Sequence, residues 1–333
     1  ARHWRLAQTY PGRRPMSWLG KGRLGGRDHS RGAALVIALT IVAVAITIAV
    51  SFSAKERVAV ARLGTLIDQE QARAAARGVE QWVSSILEED AEAGEVDHLG
   101  ERWAIPVPVI PAGRASLSGA VEDLRGRLNL NALVRKNGTV DETHAARMRR
   151  LFDGLSVNPD VVDAIIDWID ADDVERLPHG VESSFYVAQE PPYRAANKPL
   201  AHISELLRIK GISASDYELL ETHVSVLDHD STVNVNTASS NVLMSLAKNG
   251  DAVAFAEFIR RRTLAPIESA AEVKSDRAFA ELETEFAALG VGSSWFQLSA
   301  TIVLPRAERY HHAIIQRVNG RSLTRVRWTE AFE

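Results

Sequence analysis

Residues 31–57 read RGAALVIALTIVAVAITIAVSFSAKER, and from Ala33 to Ala54 none is charged. About 20 apolar residues rising 1.5 Å each span roughly 30 Å, the thickness of a bilayer core. Residues 1–32 carry eight Lys or Arg against one acid, Asp28. That asymmetry places the N-terminus in the cytoplasm and the bulk of the chain outside. Thr40 and Thr47 are compatible with hydrocarbon, because a hydroxyl bonds the carbonyl one turn back. A cleaved secretory signal fits badly: the run exceeds an h-region of roughly 7–15 residues, and no A-x-A site closes it.

The rest of the composition is that of a globular protein. Of 333 residues, 46% are hydrophobic and 25% charged, and the net charge is −4. No global basic field draws such a chain to nucleic acid. With no cysteine, disulfides, thiol catalysis and cysteine-ligated zinc are excluded. After Lys55 helix formers continue without proline to residue 105, and Val60, Leu63, Ile67 and Ala74 keep roughly helical spacing. One long helix is therefore expected to begin in the membrane and continue outside.

A basic leader ending in Gly32, followed by an apolar helix attached to a soluble head, resembles a type IV pilin-like protein. The resemblance implies cleavage between Gly32 and Ala33 by a prepilin peptidase, with N-methylation at Ala33. Pilins carry a glutamate at the fifth mature position, and here that position is Ile37. An unpaired carboxylate in hydrocarbon costs at least about 2.5 kcal/mol, so a subunit with nothing above it gains nothing from one. Among type II secretion pseudopilins, the K type lacks this glutamate and is thought to sit at the tip. Ile37 also suits a lipid-facing residue of a plain single-pass anchor.

Downstream, Pro106, Pro108 and Pro111 exclude helix, and Ala115–Glu122 reads as a strand. The segment EDLRGRLNLNAL resembles a K-type motif through Asp123, Gly126, Arg127, Asn129 and Asn131. Gly126 suits a turn, and the asparagines suit side-chain-to-backbone bonds. Residues 141–290 read as separate amphipathic helices, with Asn158 before Pro159 as an N-cap and Ser213 and Ser215 capping another. The chain then returns to strand at QLSATIVL. A hairpin follows, turning at Asn319-Gly320, with Thr324, Val326 and Trp328 expected on one face and Arg325 and Arg327 on the other. The expected class is α+β: a long N-terminal transmembrane and stalk helix, then a pilin-like antiparallel sheet interrupted by a large helical insertion. The expected organisation is leader 1–32, transmembrane helix 33–54, stalk 55–90, sheet from 91–128 and 291–333, and SAM-like helical domains at 129–232 and 233–290.

The densest acidic stretch is DAIIDWIDADDVERLPHGVESSFY. Asp163, Asp167 and Asp170 share a helical face. Asp170, Asp172 and Asp173 lie at the helix exit, the wrong end of the dipole for carboxylates. Oxygen ligands at that spacing with a later Glu182 suit Ca²⁺, but Val174 stands at the third EF-hand ligand position. From spacing alone a solvated acidic helix end and a cation site both stand. The match of IIDWIDADD and GVESSFY to the K-type motif implies calcium, held by Asp170, Asp172, Asp173 and Glu182. Zinc is not favoured, because adjacent His311 and His312 point to opposite faces of a strand.

The stretch ISELLRIKGISASDYELL has the form of a helix-hairpin-helix around Lys210-Gly211-Ile212, and residues 234–262 resemble a degenerate second copy, with Asn236 and Thr237 near its N-cap. DNA-binding versions hold phosphate on glycine-flanked amides, but Ser213 replaces the second glycine. Residues 200–290 carry eight basic and fourteen acidic side chains, a field that opposes a polyanion. Protein-contact modules are therefore expected rather than DNA binding. Tyr193, Asn197, Pro199 and Glu205 also match the K-type sequence. No nucleophile elbow, H-E-x-x-H or phosphate loop occurs, so no enzymatic role is expected. The resemblance implies a minor pseudopilin, K type, of the bacterial inner membrane. Its implied partners are the I, J and H types, the major pseudopilin and the inner-membrane secretion platform. The alternative is a single-pass receptor with a DNA-binding head, as in competence systems.

Overall fold

The computed structural model describes residues 28–229, 232–248, 251–279 and 289–332; the basic leader over residues 1–27 lies outside them. The chain forms two units, residues 1–64 and 65–333. Helix α1 (Asp28–Ala93) contributes to both. In the first unit the described side chains from Gly32 onward are exposed all round, including Leu35, Ile41 and Ile48. Apolar on every side and without protein cover, the helix here is long and apolar enough to cross a membrane and fits a transmembrane anchor. Its hydroxyls are satisfied as expected: Thr40 and Thr47 each donate to the carbonyl four residues back at 2.8 Å.

In the second unit, strands β1 (Val107–Ala112) and β2 (Ala115–Asp123) follow the helix. Residues 124–294 then leave the sheet. They carry β3 (Leu128–Asn129), α2 (Glu142–Gly154), α3 (Val161–Ile169), α4 (Ser183–Val187), α5 (Ala214–Leu220), β4 (Val224–Ser225), β5 (Val233–Asn234), α6 (Ser240–Leu246), α7 (Ala252–Leu264), α8 (Ala270–Ser275) and β6 (Leu289–Gly290). The sheet resumes with β7 (Trp295–Leu304), β8 (Ala307–Val318) and β9 (Arg321–Phe332). Its order is β1-β2-β7-β8-β9, antiparallel throughout, with β2 pairing β7 from Ser116↔Val303 to Asp123↔Phe296. The interrupted sheet expected from the order of elements is therefore present.

β7 alternates strictly, and Phe296, Leu298, Ala300, Ile302 and Leu304 are buried. Near Ile302 and Leu304 the helix presents the small side chains of Ala72, Ala75 and Ala76, which allows close approach. Val83, Ile86 and Leu87 pack on Phe296, Leu298 and Ile315, with Trp103 edge-on to Phe296 at 5.1 Å. The insertion has its own core, which runs continuously from Leu128 through Phe152, Ile165, Tyr186 and Val242 to Leu289.

Two sequence expectations change in detail, at β9 and at α3, and one strand appears that the sequence had not singled out. β1 crosses Pro108 and Pro111, which an edge strand tolerates because one row of its amides has no partner to lose. A bulge at Arg325 shifts the phase of β9. Thr324 and Arg327 therefore both reach Glu80 of α1, while Trp328 stacks on His312 on the other face. Asn158 accepts from the Asp160 amide at 3.0 Å, and α3 begins only at Val161 with Asp160 at its N-cap. The hairpin turn is as expected, with φ of 51° at Asn319 and 73° at Gly320.

The insertion is fastened to the sheet by a buried polar joint. Asp123 accepts from Asn234 Nδ2 (2.8 Å) and Thr237 Oγ1 (2.7 Å), and Asp97 accepts from the Ser293 amide at 2.6 Å. Gly126 is needed for contact rather than for a turn. A Cβ there would lie 2.9 Å from Thr237 Oγ1 and 3.2 Å from the Thr237 backbone.

Candidate metal centre

Helix α3 buries all nine of its residues, Asp163 and Asp167 included. Those two carboxylates are already compensated. Asp163 Oδ1 meets Arg149 Nη2 at 2.5 Å and Arg176 Nε at 2.8 Å, and Asp167 accepts from the Arg176 amide at 3.0 Å. Asp170 is different. As the C-cap it turns extended, with φ −69° and ψ 171°, and the chain carries Asp172 and then Glu182 back beside it. Ligand oxygens of Asp170, Asp172 and Glu182 lie within 4.8 Å of one another.

This second group is compensated far less, and Asp172 Oδ1 accepts from the Val174 amide at 2.9 Å. Both Glu182 oxygens and Asp170 Oδ1 are buried without a hydrogen-bond partner. Burial, then repulsion from Asp167 and Asp170, pushes Glu182 up to about 7. Burial, then Asp172 and Asp167, pushes Asp170 up to about 6. Three hard oxygens with one face unsatisfied suit a cation such as Ca²⁺. Asp173 stands apart from this trio and accepts from Asn197 Nδ2 at 3.2 Å.

Asn197 is the site residue whose role the sequence left unread. Its φ of 45° lies in the left-handed region, and Nδ2 donates to the Asp172 carbonyl at 2.8 Å. Its amide oxygen is left buried with no partner. The signal was there, since Asn197 matched a motif, but nothing local linked it to an acidic loop 25 residues away.

A second acidic trio, Asp90, Asp97 and Glu101, shows what a compensated cluster looks like. Arg317 Nη2 reaches both Asp97 oxygens at 2.6 and 2.7 Å, and its Nη1 reaches Asp90 at 2.9 Å. Glu101 accepts from Trp103 Nε1 at 2.7 Å and from the His98 amide at 2.9 Å.

The hairpin modules are built as protein contacts. Gly211, with φ of 88°, makes the first turn, and a Cβ there would lie 2.9 Å from Val161. Ser213 caps α5. In the second module Ser239, not Asn236, caps α6. Asn236 is instead buried and brackets Ile267, donating to its carbonyl at 3.0 Å and accepting from its amide at 2.9 Å. The run Arg260–Arg262 is committed internally to Glu257, Asp276 and the carbonyls of Val235 and Ala238.

A pilin-like sheet on a single apolar anchor helix, interrupted by a helical insertion, defines a pseudopilin. A family model described as Type II secretion system (T2SS), protein K matches residues 126–229. The chain is 35% identical over 231 residues to Type II secretion system protein K of Pseudomonas aeruginosa, covering 66% of this chain and 69% of that protein. It is 28% identical over 306 residues to the Klebsiella pneumoniae protein of the same description, covering 87% and 93%. The crystal structure of the GspK-GspI-GspJ complex from enterotoxigenic Escherichia coli matches with a TM-score of 0.72. The match covers 82% of this chain and 99% of that one at 22% identity, a likeness of fold. The chain belongs to the type II secretion system protein K family. That family is a structural component of protein secretion, not a known enzyme family.

Proposed function

We propose that this chain caps the tip of the pseudopilus and nucleates its assembly, serving protein export across the outer membrane. The observation that carries the reading is Ile37 on an exposed face of the anchor helix, where a shaft pilin has its glutamate. A terminal subunit has no neighbour above whose amine such a carboxylate would meet. The proposed partners are minor pseudopilins of the I and J types, with which the structurally similar chain was crystallised, together with the H type, the major pseudopilin and the secretion platform. The chain would sit in the inner membrane with its bulk periplasmic. Processing would fall between Gly32 and Ala33, with methylation at Ala33. The organisation would be anchor 33–54, stalk 55–90, sheet 91–128 and 291–333, and helical lobes 129–232 and 233–290.

Calcium belongs to the proposal. Asp170, Asp172 and Glu182 would hold it, with Asn197 Oδ1 as a further oxygen. Asp173 would act by holding the Asn197 amide. Bound there, a divalent cation supplies the positive charge that the acidic loop lacks. It would tie the end of α3 to α4 and to the Asn197 segment, fixing a loop with few apolar contacts of its own.

The test is co-purification of the full-length chain, extracted in detergent, with tagged I and J types. Recovery of a stoichiometric ternary complex supports the reading. Failure of all pairwise and ternary associations overturns it.

A further inference from the structure

The two edges of the five-stranded sheet are unlike. β1 carries Pro108 and Pro111, which remove amide donors and close that edge to strand pairing. β9 forms the other edge and has no proline in its 12 residues. Because the two-residue turn pairs Val318 with Arg321, antiparallel alternation turns the amides of Ser322, Thr324 and, after the bulge, Arg327 away from β8. The first of these is already taken by an acid: Glu88 Oε1 of α1 accepts from the Ser322 amide at 2.7 Å. The molecule thus places a carboxylate on this edge once by itself.

Beneath β9, between it and α1, lies a cleft of about 530 Å³ lined by Arg73, Arg77, Arg309 and Arg327, with Glu80 as its single carboxylate. Glu80 is fully engaged by His311, Arg327 and Thr324, and Arg73 pairs with Glu70. Arg77 and Arg309 have no acidic partner among the described residues. Arg321, Arg325 and Arg327 add positive charge along β9 itself. Such an edge repels a second copy of itself, because like charges would face each other across the new pair. It suits an extended segment of opposite charge.

We infer that the outer edge of β9, with the arginine cleft below it, takes up an extended acidic segment of a partner polypeptide by strand addition. Backbone pairing to Thr324 and Arg327 supplies the register, and carboxylates on alternate residues reach Arg77 and Arg309. A free phosphate or a lipid headgroup satisfies the guanidiniums but leaves the edge amides unpaired, so a polypeptide is the occupant that uses both features. The inference goes beyond the pseudopilus reading and does not depend on it.

The probe is a fluorescein-labelled peptide of alternating Glu and Val, about eight residues long, titrated into the full-length chain in detergent micelles. Saturable binding that weakens as salt rises is expected. The double variant Arg77→Gln/Arg309→Gln should weaken it about tenfold or more with an unchanged melting temperature. The same peptide with alternate amides N-methylated should also bind about tenfold more weakly to the unmodified chain. Equal affinity for the methylated peptide, or displacement by inorganic phosphate at matched charge, would mark a simple anion site and overturn the proposal. So would undiminished binding to the double variant. Should the double substitution lower the melting temperature, the comparison of the two peptides on the unmodified chain still decides.

Discussion

Glu80 of α1 and His311 of β8 meet at 2.7 Å across 231 positions of sequence, both almost fully buried. The same carboxylate accepts from Arg327 Nε at 2.7 Å and from Thr324 Oγ1 at 3.2 Å. One acid therefore ties the stalk helix to two strands. Glu80→Ala strands the buried His311 ring and should lower unfolding stability by about 3 kcal/mol. Glu80→Gln keeps an acceptor and should lose about half as much. Urea denaturation of the two variants checks the order; a loss below about 0.5 kcal/mol for the alanine contradicts the clamp.

Asn131 does comparable work inside the insertion. It accepts from the Leu200 amide at 2.7 Å and donates to the carbonyls of Leu200 (3.0 Å) and Leu227 (3.2 Å). Asn131→Ala leaves the Leu200 amide and carbonyl without their side-chain partner, while the Leu227 carbonyl keeps Asn129 Nδ2 at 3.3 Å, and should cost about 2–4 kcal/mol. Asn131→Asp should be worse despite its shape, because a carboxylate has no donor for two carbonyl oxygens and brings a buried charge. Equal melting temperatures for Asp and Asn at position 131 would refute this account of the joint.

The acidic trio sets a pH dependence with a definite sign. Folding raises Glu182 to about 7 and Asp170 to about 6. The folded chain therefore binds protons more tightly than the unfolded one. Stability from these groups is full below the unfolded carboxylate range, near pH 4. It is lost as pH rises through about 6 to 7. In chelator, Glu182→Gln should thus stabilise the protein at pH 7.5, by about 2 kcal/mol, while abolishing stabilisation by calcium. Calcium should bind more tightly as pH rises through this window and release protons on binding. Thermal melts with and without chelator at pH 5 and pH 7.5 measure both effects. A chelator-insensitive melt at pH 7.5 would remove calcium from the proposal.

Cleavage after Gly32 would leave Ala33 as the first residue. α1 runs through both positions without a break, so the bond must be recognised by sequence rather than by a local loop. Intact-mass measurement should find a methylated chain beginning at Ala33, and Gly32→Glu should leave the leader attached. A mature chain starting elsewhere contradicts the pilin-like processing.

Much of the architecture was legible because it rests on long patterns. The uncharged run to Ala54 and the proline-free stretch beyond it dictate α1, and Asn319-Gly320 dictates the hairpin. The return of alternating residues at QLSATIVL called for the partner that β2 provides. Features set by single contacts were not legible. β1 hides behind prolines that would veto a central strand but not an edge. The bulge at Arg325 puts Thr324 and Trp328, expected on one face, on opposite faces, without changing composition. The two-residue parallel pairs β3–β4 and β5–β6 are too short to leave a period. Within the candidate site, spacing left a cation site at Asp170, Asp172 and Glu182 as one of two readings, and the family resemblance singled these residues out. That Asp163 is paired with Arg149 and Arg176, that Asp167 is held by the Arg176 amide, and that Asn197 has an unpartnered amide oxygen follow only from the fold.

The central claim is terminal placement. Gold-labelled antibody against an epitope tag on the soluble head, applied to sheared pseudopili from cells carrying the tagged chain, measures it directly. The account predicts label at one end of each fibre and none along the shaft; label distributed along the fibres would contradict it.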